Sequence, residues 1–245
     1  MGLLVIAALV WLGIHIGIAG TPLREWLVGR IGEVPFRSLF SVLSLGAIVF
    51  LVRAWSATPI ILLWYAPGWL HWVLVAVMLP AFVLFVASLV RRNPTLMPMG
   101  TPAKLPARVP ARVAPTAAAR TATTQPPRGI QRVTRHPMLW SFALWAAVHI
   151  VGNDDIAAIV FFGTFLVTAL VGMPSIDAKL ARRDPALWQA LSAATSIVPF
   201  AAIAQGRNRF VPREIGWWVL LISVVAWAAV LFLHPWVFGV APVVM

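Results

Sequence analysis

The chain has no cysteine, one tyrosine and only seven Asp and Glu residues among its 245. Without cysteine there can be no disulfide, thiolate metal site, iron–sulfur cluster or covalently attached c-type haem. With so few acids, no pair of intramembrane carboxylates suggests a proton-driven pump. The phosphate-cradling loop, the dinucleotide glycine motif, the zinc-protease helix and the nucleophile elbow are also missing. What the chain has in excess is apolar surface. It is 61% hydrophobic with a mean hydropathy of +0.90, well outside the range of an ordinary soluble domain.

The apolar residues gather in six runs, roughly Gly2–Gly20, Ser38–Trp55, Trp69–Val90, Met138–Val151, Ile156–Met173 and Ile215–His234. About 20 apolar residues cross a bilayer core, and a crossing segment must satisfy its own backbone, so helices are expected. The fold class is therefore all-α: a single polytopic helix bundle over residues 1–245, with about six transmembrane helices. The first run has no Lys or Arg before it and no small-residue cleavage site, so it reads as a retained helix.

Charge sets the expected topology. Eighteen of the nineteen Lys and Arg residues fall in three loops, 21–37, 91–137 and 174–214, and only Arg53 lies inside a run. Basic loops stay on the cytoplasmic side. Both termini should then face the periplasm of a bacterial inner membrane. A net charge of +12 in a soluble protein would suggest nucleic acid. Here lipid headgroups and the insertion machinery account for it, so the bilayer and not nucleic acid is the expected partner.

The segment Arg91–Arg128 is rich in proline, alanine and threonine and reads as a disordered cytoplasmic tether within the domain. Asp184–Pro185 is a helix start, with Asp as N-cap and Pro in the first turn, and predicts an amphipathic helix over Pro185–Ala194. The apolar stretch Ile197–Ile203 should then lie against the membrane or plug the cytoplasmic mouth. Asp154 and Asp155 should end a helical hairpin. The thirteen tryptophans suit an interfacial aromatic belt.

The reactive inventory is short. His15 and His149 lie within spans, where ionisable groups mark function by default. A neutral imidazole can ligate b-type haem. The alternative is that each bonds a carbonyl or hydroxyl on a neighbouring helix. Depth argues against a simple pairing, because His149 lies near the outer edge and His15 deeper. By depth alone, His71 and His234 are better neighbours for His149. His136, with Arg132 and Arg135, precedes a helix start at Pro137. That group could attract a haem propionate, a phosphate or a cofactor carboxylate, or simply anchor the loop. Arg30, Glu33 and Arg37 form a further polar cluster, and Asp177 follows the fifth run closely enough to point inward.

Several of these stretches together resemble a known family: Arg30–Ile31–Gly32–Glu33, Thr134–Arg135–His136–Pro137–Met138, Ile176–Asp177–Ala178–Lys179, Thr195–Ser196–Ile197–Val198–Pro199–Phe200 and His234–Pro235–Trp236. The pattern resembles the NnrU family of bacterial membrane proteins, from His15 to Pro242. That resemblance implies a link to denitrification, through components of nitrite and nitric oxide reductase activity. It also implies kinship with 15-cis-zeta-carotene isomerase, a membrane enzyme with haem b that acts on a lipophilic polyene. By that resemblance His15 and His149 are the haem-iron ligands, and His136, Arg132 and Arg135 assist cofactor binding. Ala146 stands where the isomerase has a cysteine, and Ile16 where the family more often has a small polar residue. A weaker similarity, on Arg135–His136–Pro137 and Ser196–Pro199, is to membrane methyltransferases that use S-adenosylmethionine. In that pattern Asp177 stands nearest the expected Glu.

Overall fold

The computed structural model describes residues 1–90 and 126–243. The expected tether therefore lies, over residues 91–125, outside the described residues. The rest is helical, as lipid-embedded apolar sequence must be. In chain order the helices are α1 (Gly2–Leu12), a π-helical turn (Gly13–Ile18), α2 (Leu23–Ile31), α3 (Glu33–Ser56), α4 (Gly68–Val90) and α5 (Pro137–Asn153). There follow α6 (Ile156–Arg183), α7 (Pro185–Ala194), the short α8 (Ala201–Ala204) and α9 (Trp217–Phe238). Short 3₁₀ turns occupy Gly129–Arg132 and Pro212–Glu214. Among the described residues the only β feature is an isolated bridge between Leu62 and Asp155.

Four helices, α3, α4, α6 and α9, are long and apolar enough to cross a membrane. The segment Gly2–Ile18 with α2 adds a fifth candidate, bent by 76° at Gly20–Pro22. The fourth apolar run forms α5, of 17 residues. At 1.5 Å per residue α5 is about 26 Å long, a little short of a ~30 Å hydrocarbon core.

The chain divides into two compact units. The first comprises Met1–Phe82, Leu139–Ser175 and Val224–Met245. Its core joins Leu4, Ala7 and Ala8 of α1 to Leu51 and Ala54 of α3, Ala146 of α5, and Ala157, Ala158, Phe161 and Phe162 of α6. The alanines let the helix backbones approach closely, the usual device where lipid removes the hydrophobic drive for association. Many large apolar side chains point outward instead, among them Leu45 (65% exposed) and Val225 (59%). In this unit Asp155 accepts the Ala158 N–H (2.9 Å) and caps α6. Asp154 accepts the Leu63 N–H at its carbonyl (2.9 Å) and the Ala66 N–H at its carboxylate (3.3 Å). The two acids thus start a helix and pin the preceding link as well as ending a hairpin. The expected Arg30–Glu33–Arg37 cluster forms with a different member. Glu33 accepts from Arg24 (2.7 Å) and Arg37 (2.8 Å), while Arg30 lies 4.6 Å over the Trp26 ring.

The second unit comprises Val83–Met138 and Ile176–Ser223. The helix over Pro185–Ala194 is present as expected, and the Asp184 carboxylate accepts the Leu187 N–H at 3.0 Å. At its other end Arg207 donates to the carbonyls of Ser192 (3.0 Å), Ala193 (2.8 Å) and Thr195 (3.0 Å). A cation there satisfies carbonyls left over at a helix C-terminus.

Candidate functional site

The second unit contains a buried polar cluster. Ahead of α5, the backbone of Val133–Arg135 pairs with the segment after α7. Phe200 N–H donates to the Val133 carbonyl (2.8 Å) and Arg135 N–H to the Ser196 carbonyl (3.1 Å). The Thr134 hydroxyl donates to the Ile197 carbonyl (2.7 Å) and accepts the His136 N–H (3.2 Å). These bonds fix Ser196–Phe200 against the segment that leads into α5.

Asp177 in α6 closes the cluster. Arg135 reaches its carboxylate through Nε (2.9 Å) and a terminal nitrogen (2.6 Å), and donates to the Thr195 carbonyl at 3.1 Å. The guanidinium also lies 5.1 Å over the Trp188 ring. His136 Nε2 stands 2.8 Å from Asp177 Oδ1. An ionised carboxylate only accepts, so Nε2 carries a hydrogen and donates it to Asp177. Nδ1 is buried and has no partner among the described residues.

Arg132 is held in the same unit by a separate pair. Its Nε donates to Glu214 Oε2 (2.8 Å), one terminal nitrogen to Oε1 (3.0 Å) and the other to Asn208 (2.6 Å). Glu214 also accepts the Gly129 N–H at 2.8 Å. The hydrogen bond from Arg132, then that from Gly129, pull the Glu214 carboxyl down to about 2. Both arginines of the expected anion site are thus engaged by carboxylates.

The first unit carries His15 and His149. His15 lies in the π-helical turn, a rare widening of the helix that often marks functional sites. Its Nδ1 is 3.0 Å from the Trp11 carbonyl, and its ring stacks on Trp11 at 3.9 Å. His149 repeats the arrangement, with Nδ1 2.7 Å from the Trp145 carbonyl and its ring 5.3 Å from Trp145. A carbonyl can only accept, so each Nδ1 carries a hydrogen and each Nε2 presents a lone pair. That is the usual setting of a metal-bound histidine, whose other nitrogen donates to a backbone carbonyl. These Nδ1 bonds run within each histidine's own helix, while His15 Nε2 also has a neighbouring helix's hydroxyl, that of Ser44, within reach.

His15 lines an open cleft of about 450 Å³ with Trp11, Phe40, Ser41, Ser44, Leu45 and Ile48. Its walls are mainly apolar. Ser44 Oγ is 3.5 Å from His15 Nε2, at the limit of hydrogen bonding. His149 faces other neighbours: it stacks on Phe162 (4.8 Å) and lies near-parallel to His234, 6.5 Å between ring centres. Helix α6 serves as a ruler. Phe162 touches His149, whereas Thr168 accepts the Trp11 indole N–H at 3.1 Å. Those levels differ by six residues, or about 9 Å. By that measure the two histidines sit at different levels of this unit.

Reading the sequence missed Trp11, Phe40, Ser44 and Glu214. One signal was available, since Trp-x-x-x-His occurs at both Trp11–His15 and Trp145–His149. That spacing puts ring and imidazole on one helix face. Among the described residues no group of three or more His, Cys, Asp or Glu is placed to hold a metal ion.

A family model described as NnrU protein matches residues 3–242. The chain is 35% identical over 82 residues to the chloroplastic 15-cis-zeta-carotene isomerase of Arabidopsis thaliana, covering 33% of this chain and 22% of that protein. It is 31% identical over 86 residues to the isomerase of the same name from Zea mays, covering 35% of this chain and 23% of the other. The matched stretch is thus less than a quarter of either relative. No solved structure matches the chain.

Proposed function

Because the chain belongs to the NnrU family, we propose that it is a membrane protein that draws a long apolar molecule, a polyene of the carotene class, from lipid into the cleft beside His15 and isomerises it. The observation that supports this most is the cleft. An imidazole with its tautomer fixed stands in a rare π-helical turn, beside an apolar opening large enough for part of such a ligand. The names of the two plant relatives point to the same substrate class.

The fit to haem b is residue by residue. His15 Nε2 would hold the haem, and Trp11 keeps the ring in place. His149 offers the same chemistry at another level, away from the cleft. Haem held there would supply a redox-active iron. Phe40, Leu45 and Ile48 would give such a ligand its apolar contacts. Arg132, Arg135 and His136 are assigned no propionate, because Glu214 and Asp177 already engage them.

The test has two readouts. Purified full-length protein supplemented with haem should show a Soret band that His15→Ala removes. Expression in cells accumulating a cis polyene should change the isomer ratio seen by chromatography. Absence of both the band and the changed ratio would overturn the proposal.

A second reading is favoured by the whole-chain family match, which extends far beyond the stretch shared with the isomerases. In it the protein assists nitrite and nitric oxide reductase components of a denitrifying bacterium. Co-purification with a reductase, and its loss of activity on deletion, would favour this role. The basic loops support placement in the inner membrane with periplasmic termini. Methyl transfer is not carried forward, because a cofactor would have to displace both Arg135 and His136 from Asp177.

A further inference from the structure

The turn after α7 presents side chains that neither the cleft nor the buried cluster uses. Phe200 is held in the left-handed region, at φ 64° and ψ −7°. That backbone is strained for a bulky residue, and such strain persists only where the surroundings impose it. Here they do. Phe200 N–H donates to the Val133 carbonyl at 2.8 Å. The Ser196 hydroxyl donates to the Val198 carbonyl (2.8 Å) and accepts the Ala202 N–H (2.9 Å). The bracing does not bury the ring. Phe200 is 51% exposed, and it meets Phe210, 48% exposed, edge-on at 5.8 Å. Two arginines flank Phe210 in the chain, Arg209 just before it and Arg213 just after, and both are exposed. Neither pairs with a carboxylate among the described residues. The adjacent acid, Glu214, is held by Arg132.

We propose that this turn docks acidic phospholipid, with Phe200 and Phe210 as an aromatic wedge and Arg209 and Arg213 on the lipid phosphates. The chain itself says what covers the patch. Helix α9, long and apolar enough to cross a membrane, begins at Trp217, shortly after Arg213. Trp217 is 76% exposed, as suits a ring at the headgroup level. The start of a span puts a layer of phosphates within a few residues of both arginines. A guanidinium matches a phosphate with paired N–H donors, and negative lipid adds attraction that zwitterionic lipid lacks. The two rings favour the boundary between headgroups and acyl chains. A turn already fixed by its own hydrogen bonds loses little freedom when lipid binds. The strain at Phe200 then has a use, since it holds an apolar ring outward at the lipid boundary. The surface goes beyond the proposed isomerase cleft and does not depend on it.

Purified full-length protein in neutral detergent is titrated with phosphatidylglycerol or phosphatidylcholine, and bound lipid is counted by native mass spectrometry. Phosphatidylglycerol should bind more tightly, and added salt should erode the difference. A basic residue near an anionic surface is worth about fivefold in affinity. Arg209→Gln with Arg213→Gln should therefore weaken phosphatidylglycerol at least tenfold and leave phosphatidylcholine unchanged. Arg53→Gln, a charge removed elsewhere, should change neither. Phe200→Gly separates the wedge from a packing role. Glycine relieves the left-handed strain and offsets the lost ring contact, so the lipid-free unfolding midpoint should stay near that of the wild type while both lipids bind more weakly. Equal affinity for the two lipids would overturn the proposal, as would an acidic preference that survives the double substitution. So would free inorganic phosphate competing as well as the lipid does, or a collapse of the lipid-free midpoint in Phe200→Gly.

Discussion

His136 Nε2 lies 2.8 Å from Asp177 Oδ1, and the ring is 1% exposed. The same carboxylate holds the Arg135 guanidinium, itself nearly buried. One acid of α6 thus anchors the two residues that lead into α5. Removing it would leave a buried cation without its partner, which typically costs 3–5 kcal/mol. Asp177→Ala should therefore lower the thermal unfolding midpoint in detergent sharply. Asp177→Asn should fall between it and the wild type, because an amide can still accept but carries no charge. Equal midpoints for all three proteins would refute the anchoring role.

Glu214 gives a pH dependence with a definite sign. Its carboxyl sits at about 2 in the folded chain against an ordinary 4.5. A depressed carboxyl stabilises the fold fully above the unfolded value, and the gain is lost as pH falls from about 4.5 through about 2. The pair is partly open to solvent, so screening should hold its worth to about 1 kcal/mol. Wild-type protein should lose more stability than Glu214→Gln between pH 5 and pH 2.5, as measured by unfolding midpoints. Parallel curves would show that the Arg132 pair does not contribute.

The helix Pro185–Ala194 rests on its cap. Asp184→Ala removes the acceptor of the Leu187 N–H, and such N-cap losses cost about 1 kcal/mol. Asp184→Asn and Asp184→Ser keep an acceptor and should retain most of the stability. A denaturant or thermal series on these three variants checks the order.

That helix also shows what sequence alone makes legible. Its start is encoded locally, in one acid and one proline, and so its boundaries follow from residues 184 and 185. Apolar runs likewise announce helices, because lipid leaves the backbone no other partner. The partner of Asp177 was not readable in the same way. Arg135 and His136 are over forty residues away, and only the packed chain chooses them over Lys179 or Arg182. The Arg24–Glu33 pair was misassigned to Arg30 for a related reason, since three arginines lie within reach of one acid. The π-helical turn at His15 has no sequence period of its own, so the cleft could not be drawn before the fold. The one usable clue, Trp four residues before each spanning histidine, is a local spacing. The levels of those histidines along α6 are not.

The geometry behind the His15 cleft can be tested with two glycines. Gly20 follows the π-helical turn, and a Cβ there would collide with the carbonyl of Ile16, the residue next to His15. The Gly20 carbonyl also accepts the Ser175 hydroxyl at 3.0 Å, so the backbone cannot shift without losing that bond. Overpacking of this kind costs about 1–3 kcal/mol. Gly17 lies inside the turn, and a Cβ there would meet nothing within 4 Å. Gly20→Ala should lower the unfolding midpoint and weaken haem or polyene binding by displacing His15. Gly17→Ala should leave stability unchanged or slightly raised, because alanine is the better helix former. Absorption spectra and unfolding midpoints of the two variants, compared side by side, decide the matter. If both substitutions had the same effect, the close approach of Gly20 to Ile16 would not be what shapes the turn.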